Sequence, residues 1–251
     1  YALTPDEVES VLGKNDAQVF CLHYRITHPG NFEGRNIPNL IGEDSPEEDS
    51  ELMSDLRADI YRFRLERSRL SRDEKILTAW NGMMIAALAK AGRVFGKEKY
   101  LNAAMEAEEF IRDALTRRGR LLLRWQSGEA KFAGCLEDYV YYAWALTELA
   151  DSGCGPEYAR AARDVMDTVE ELFADPSEGG YLYCTDDDKH LPVRPKEVWD
   201  GAYPSGNAVA LYVLLKLQKD DPDPALAERA QRQMAFLSGA ARSYDCPFAL
   251  T

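Results

Sequence analysis

The sequence predicts a mainly all-α protein, an (α/α) toroid of helical hairpins present as a partial ring, with short β-hairpins between the units. Three observations carry that prediction. Strongly apolar helical stretches alternate with amphipathic ones, as an inner and an outer layer require. The alternation recurs, with polar and aromatic heads near Trp80, Asp138 and Ser205 spaced about 60 residues apart. Each apolar stretch begins at such a head: Thr78-Ala79-Trp80-Asn81-Gly82, Gly134-Cys135-Leu136-Glu137-Asp138-Tyr139, and Asp200-Gly201-Ala202-Tyr203-Pro204-Ser205-Gly206-Asn207. Inner helices running parallel would bring the three heads to one rim.

Taken in order, Thr4-Pro5-Asp6-Glu7 is a helix start, with a hydroxyl cap, a proline in the first turn and a glutamate closing a capping box. The helix runs to about Leu12. Gln18 to Tyr24 alternates too loosely to assign. His28-Pro29-Gly30-Asn31 is a turn, and Asn31-Phe32-Glu33-Gly34-Arg35-Asn36 is a polar loop that suits the cover of a pocket as well as an ordinary surface turn. Gly42 to Asp49 is acidic and solvated. Glu51 to Ser71 is helical in composition, with acids early and arginines from Arg57 to Arg72, the order the helix dipole favours. Those arginines read as a solvated face rather than a polyanion site.

From Ile76 to Ala91 the apolar residues fall at three- and four-residue spacing nearly all round, so this helix is expected to be enclosed, with Gly92 and Gly96 marking its break. Lys97 to Leu115 returns with one wet face. The same pair recurs as Leu136 to Ala150 then Glu157 to Phe173, and as Ser205 to Leu217 then Pro224 to Ala241. Short strands are expected at Arg120 to Trp125, and at Gly180 to Cys184 with His190 to Val193 about a turn at Asp186-Asp187-Asp188. The domain reading is one partial barrel over 1–251, with an incomplete leading unit and linking helix at 1–74 and three hairpins at 75–251. Both ends read as cuts in a longer protein.

Composition bounds the function. At 251 residues, 45% hydrophobic and 29% charged, the chain has the balance of a soluble globular protein. A formal net charge of -13 argues against nucleic acid and anionic membrane as partners. No apolar run approaches the roughly 20 residues of a spanning helix. The cysteines, Cys21, Cys135, Cys154, Cys184 and Cys246, have no C-x-x-C spacing. Reduced thiols in the cytoplasm are expected, with no zinc or other metal site and no cofactor.

Parallel inner helices would also ring one funnel with unpaired N–H groups and positive dipole ends, which favours anionic or hydroxyl-rich ligands. A sugar ring stacks its C–H face on an aromatic and bonds its hydroxyls to carboxylates and amides. The candidate acid and base groups are Glu137, Asp138 and Asp200. Candidate ligand-binding residues are Trp80, Asn81, Tyr139, Tyr203, Ser205 and Asn207, with Asn31 and Glu33 from the leading loop. Glu137 and Asp138 diverge by roughly 100° on a helix. Glycoside hydrolysis would therefore need an opposing carboxylate from another unit, with Asp200 the leading choice, about 5 Å or about 6.5 to 9.5 Å away. Structural alternatives stand beside these roles: Asp138 as a helix cap, Trp80 as core, and Ser205 and Asn207 as caps. No histidine lies near Ser205 to make it a nucleophile. Asp186 to Asp188 lacks the glycine and distal glutamate of a calcium loop and reads as a solvated turn.

The head motifs, with Asn31 to Asn36, Asp73-Glu74-Lys75-Ile76-Leu77 and Arg194-Pro195-Lys196-Glu197, resemble the signature stretches of the thioredoxin-domain-containing family related to spermatogenesis-associated protein 20 and bacterial YyaL. The resemblance is ordered and spans nearly all of the chain. It implies a thioredoxin-like domain, absent from this chain, ahead of a toroid related to six-hairpin glycosidases and N-acylglucosamine 2-epimerases. It also implies a carbohydrate-type pocket. The sugar epimerases of that superfamily use histidines, and none of His23, His28 and His190 falls on an inner helix, so 2-epimerase chemistry would need an unusually tuned carboxylate. The expectation is a carbohydrate-active domain for a small sugar or oligosaccharide, acting by hydrolysis slightly ahead of isomerisation. The rival is a non-catalytic binding or scaffold module serving the attached thioredoxin-like domain.

Overall fold

Capping chemistry starts the chain. The computed structural model describes residues 2–42, 51–68, 72–185 and 193–243, in two units, Tyr1–Asp73 and Glu74–Thr251. In the first, helix α1 (Pro5–Leu12) opens with a reciprocal box: the Glu7 N–H donates to the Thr4 hydroxyl at 3.2 Å and the Thr4 N–H to the Glu7 carboxylate at 3.0 Å. Burial works to raise Glu7, but Arg35, the Thr4 N–H and Arg67 outweigh it and hold the carboxyl at about 2. Helix α2 (Lys14–His23) covers the stretch that sequence left unassigned. Ala17 and Phe20, one turn apart, join Val8 and the Met53, Leu56 and Ile60 face of α3 (Glu51–Arg67) in a small core, so helical spacing wins over the loose alternation. The expected acidic loop and the end of the long helix near Ser71 lie largely outside the described residues.

The second unit holds three helical hairpins: α4 (Thr78–Phe95) with α5 (Glu98–Ala114), α6 (Leu136–Asp151) with α7 (Pro156–Phe173), and α8 (Gly206–Asp220) with α9 (Pro224–Ser243). The outer helices repeat one burial pattern. Ala104, Glu108, Ile111 and the C-cap Leu115 are buried along the first, Ala162, Met166, Val169 and Phe173 in the second, and Leu226, Ala230, Gln233 and Leu237 in the third. That spacing keeps one stripe of each helix inward.

The inner helices run parallel. Ala79 bonds to Asp138, Gly82 lies against Tyr141, and Arg93 pairs with Glu148 and Asp151, so contacts advance in step along α4 and α6. Likewise Tyr141 donates to the Pro204 carbonyl, while Tyr212 and Lys216 reach Glu148 further down. A Cβ on Gly82 would sit 2.8 Å from the Tyr141 carbonyl carbon and 2.9 Å from the Tyr142 nitrogen, so α4 and α6 touch backbone to backbone. All three heads therefore share one end of the unit.

Between the first two hairpins, strands β1 (Ile76–Leu77), β2 (Thr116–Arg117) and β4 (Glu129–Ala133) each pair antiparallel with β3 (Arg120–Gln126). Ser127 and Gly128, both at positive φ, make the tight turn from β3 to β4. The second expected hairpin differs. Gly180 to Cys184 is not a strand: Tyr181 makes a single bridge to Ala174, and the Tyr183 N–H donates to the Pro195 carbonyl. Asp186, Asp187, Asp188 and His190 lie outside the described residues.

Two further expectations are corrected. The first inner helix is not enclosed: Trp80, Met84, Val94 and Phe95 are exposed by 59%, 58%, 65% and 66%. Apolar residues all round show that a helix can be covered, whereas here the buried stripe is Ala79, Gly82, Ile85, Ala86, Ala89 and Gly92, with α6 against Ala79 and Gly82. Gly92 does not break the helix either. It lies inside it, where a Cβ would meet the Leu101 side chain at 2.5 Å, and Gly96, in the left-handed conformation, supplies the C-cap.

Candidate functional site

Two neighbouring carboxyls at the head of α6 have opposite surroundings. Asp138 is buried, and its two oxygens accept the Ala79 N–H at 3.0 Å and the Cys135 N–H at 2.8 Å. Burial pushes its carboxyl up to about 7, against those two bonds, which favour the charged form. Asp138 thus ties the first turn of α4 to that of α6. It is the cap that the sequence left open, buried and with each oxygen engaged by a backbone N–H.

Glu137 points elsewhere. Its carboxyl lies within hydrogen-bonding reach of the Glu197 carboxyl, and burial, then the Glu197 charge and the shared bond, raise it to about 7. Glu137 is therefore partly protonated near neutral pH, because a second carboxyl beside it disfavours its charged form. Three phenols surround the pair. The Glu137 charge is the main influence raising Tyr203, while burial leads for Tyr141 and Tyr183 and is reinforced by the same acids. All three stay protonated as hydrogen-bond donors. Cys135, bonded to Tyr183, is pushed by burial and by Asp138 up to about 12, which leaves it an inert thiol.

Glu197 is the residue that sequence reasoning missed as a site. It stands on the irregular segment 193–200, which distant partners fix in place. The Tyr183 N–H holds Pro195 O at 2.8 Å, Arg194 Nε holds Cys184 O at 2.8 Å, Lys196 Nζ meets Asp175 at 2.6 Å, and Asn207 Nδ2 holds Glu197 O at 2.9 Å. No periodicity marks such a segment. The available signal was a carboxylate just after Arg194-Pro195-Lys196 and just before an inner-helix head. Asp200, the expected opponent of Glu137, accepts the Ser205 N–H at 2.8 Å through one oxygen and shapes the turn into α8; its charge acts on Tyr141 together with those of Glu137 and Glu197.

The remaining candidates divide between the rim surface and the interior. Trp80 and Tyr203, exposed by 59% and 40%, present rings at the rim end, and Tyr203 packs edge-on to Tyr141. Asn81 bonds back to the Leu77 carbonyl at 2.8 Å. Tyr139 is not a stacking platform: it is 2% exposed, its ring meets Phe173, and its hydroxyl accepts the Leu121 N–H at 3.0 Å. Ser205 is the N-cap of α8, accepting the Ala208 N–H at 3.2 Å. Asn207 is fully buried, with its amide turned inward. In the first unit, Asn31 closes its own loop on the backbone of Ile37 at 2.8 and 3.0 Å, and Glu33 is exposed at positive φ.

A cavity of about 430 Å³ opens beside the hairpin, lined by Arg117, Arg120, Lys131, Gly134, Tyr139 and Thr185 among others; neither carboxyl of the pair lines it. Among the described residues no group of three His, Cys, Asp or Glu side chains is arranged to hold a metal ion, and no helix is long and apolar enough to cross a membrane.

Comparison with known proteins supports the architecture. No family model matches the chain. Spermatogenesis-associated protein 20 of Homo sapiens is 28% identical over 245 residues, 83% of this chain, and the chain spans 31% of the length of that relative. Cellobiose 2-epimerase of Spirochaeta thermophila superposes on 64% of this chain and 42% of its own, with a TM-score of 0.53 and 16% identity. A family 105 glycoside hydrolase of C. acetobutylicum does so on 74% of this chain and 56% of its own, with a TM-score of 0.54 and 16% identity. The structural likeness is one of fold. The second unit has the helical-hairpin architecture of the α/α toroids, here as three hairpins with a small sheet.

Proposed function

We propose that the rim of the inner helices is a carbohydrate-directed acid–base site in which Glu137 carries the proton, Glu197 is its partner, and Trp80 and Tyr203 offer faces to a sugar ring. The carrying observation is the Glu137–Glu197 carboxyl pair. An unpaired carboxylate is a weak base at neutral pH, whereas one raised to about 7 is half ionised there and suited to both taking and returning a proton. That tuning answers the lack of an inner-helix histidine.

The pair also favours proton transfer over hydrolysis. Glycosidases keep their two carboxyls about 5 Å or more apart so that a sugar or a water fits between them, and carboxyls within hydrogen-bonding reach leave no such gap. The reaction that fits is removal of a proton from the carbon beside a sugar carbonyl and its return to a neighbouring carbon or the opposite face. The fold supports the substrate class, since toroids of this kind include proteins named as a sugar epimerase and a glycoside hydrolase. A small sugar or oligosaccharide ligand, a cytoplasmic setting and a thioredoxin-like domain in the full-length protein belong to the same proposal.

The test is incubation of the full-length protein with reducing mono- and disaccharides in D2O, followed by NMR. Deuterium at the carbon next to the carbonyl is expected, and loss of exchange in Glu137→Gln with unchanged circular dichroism ties it to the pair. Cleavage of glycosidic bonds without exchange would replace this reading by hydrolysis. Sugar binding with neither outcome would leave a non-catalytic module.

A further inference from the structure

Beneath the rim surface, one buried polar group has every bonding position filled and connects an outer helix to the carboxyl pair. Asn207 Nδ2 donates to Tyr181 O and to Glu197 O, both at 2.9 Å. Its Oδ1 accepts the Tyr181 N–H at 2.8 Å and Gln233 Nε2 at 2.9 Å. Gln233, on α9 and itself buried, donates from the same Nε2 to the Asn207 carbonyl at 2.9 Å. Two carbonyls face the amide nitrogen and two N–H groups face the amide oxygen, so flipping the amide would set like against like on every side. The orientation is fixed by its partners.

We propose that Asn207 is a positioning residue of the site and that Gln233 acts with it, the two fixing the Glu197 backbone so that its carboxyl meets Glu137. This rests on the reading of the rim given above. Glu197 lies on a segment with no helix or strand to place it. The bond from Asn207 is the one that grips Glu197's own main chain, whereas those at Pro195, Arg194 and Lys196 act two, three and one residue upstream. Gln233 occupies the inward stripe of α9, where the matching stripe of α7 is wholly apolar. A buried amide there is costly unless bonded, and its bonds run to Asn207. The outer layer thus reaches the pair through one amide–amide contact.

The experiment is side-chain carboxyl NMR titration of Glu137, in wild type and in Gln233→Met, Asn207→Ser and Glu197→Gln. Gln233→Met nearly keeps the volume and removes the amide, with the Nε2 that donates to Asn207, so it carries the test if Asn207→Ser does not fold. In Glu197→Gln the Glu137 midpoint is expected to fall most. In Gln233→Met it is expected to fall in the same direction by about 0.5 pH, with deuterium exchange slowed through kcat more than KM. A Gln233→Met protein whose melting temperature drops while Glu137 titrates as in wild type would overturn the positioning role and leave a packing residue. A wild-type Glu137 that titrates like an ordinary carboxylate would overturn the pair itself, and with it both readings.

Discussion

The two ends of the inner helices treat paired carboxylates in opposite ways. At the far end Glu148 and Asp151 meet Arg93 and Lys216: Lys216 Nζ lies 2.7 Å from Glu148 and 2.8 Å from Asp151, and Arg93 lies 3.4 and 3.2 Å from the same acids. Two negative charges face two positive ones, and Tyr212 adds a hydroxyl. At the rim, Glu137 and Glu197 face each other with phenols around them, and Glu137 rises to about 7. The inner helices supply the far end, whereas at the rim Glu137 of α6 meets a residue of the irregular segment before α8. Where charge is balanced, the acids tie the helices together; where acid meets acid, folding energy is surrendered and a proton is kept close to neutrality.

The contrast can be broken most severely at the balanced end. Glu148→Leu leaves Lys216 and Arg93 sharing Asp151, and the expected loss is about 3 kcal/mol, read by urea denaturation, with the Glu137 titration unchanged. A variant as stable as wild type would show that the far end is not a tie.

The next effect is on pH dependence. Glu137 is raised from 4.5 to about 7 on folding, so its protonated form contributes stability that is full below about 4.5 and is lost as pH climbs through 7. Glu137→Gln is therefore expected to match wild type near pH 4 and to exceed it by about 1–3 kcal/mol at pH 8. Asp151 has the opposite sign. Burial acts to raise it, but Lys216 and Arg93 overcome this and lower it below 3.8, so its contribution is present above that value and disappears as pH falls through the folded one. Denaturant melts from pH 3 to 9 separate the ends, and a Glu137→Gln curve parallel to wild type would erase the distinction.

The smallest effect on stability belongs to Trp80. Exposed by 59%, it is expected to tolerate replacement by serine with a change under about 0.5 kcal/mol, while sugar affinity by calorimetry weakens about tenfold, or about 1.4 kcal/mol. Undiminished affinity would remove Trp80 from the binding surface.

Much of the architecture was legible because periodicity reports layers directly. The three outer helices carry their buried residues at matching offsets, and the apolar inner helices begin at the polar heads that mark the rim. Position along a helix was readable; the identity of its neighbour was not. Tyr139 looked like a rim aromatic because it follows Glu137 and Asp138, yet its hydroxyl is spent on a strand N–H eighteen residues upstream. Asn207 reads as a cap in sequence and serves as a hub, because Gln233 and Tyr181 reach it only through tertiary packing. Glu197 was invisible for the converse reason: no regular element carries it, so nothing in the spacing told that it would meet Glu137.

The contact at Gly82 sets a mechanical condition on the α4–α6 side of the rim. The ion pairs of Arg93 hinge α4 to α6 at one extremity, and the missing side chain lets the two rods close at the other. A single methyl there would act as a wedge, prying on a lever clamped at its opposite end, and the first tether to stretch would be the one from Asp138 to Ala79. How closely the tips of α4 and α6 approach thus turns on one hydrogen atom.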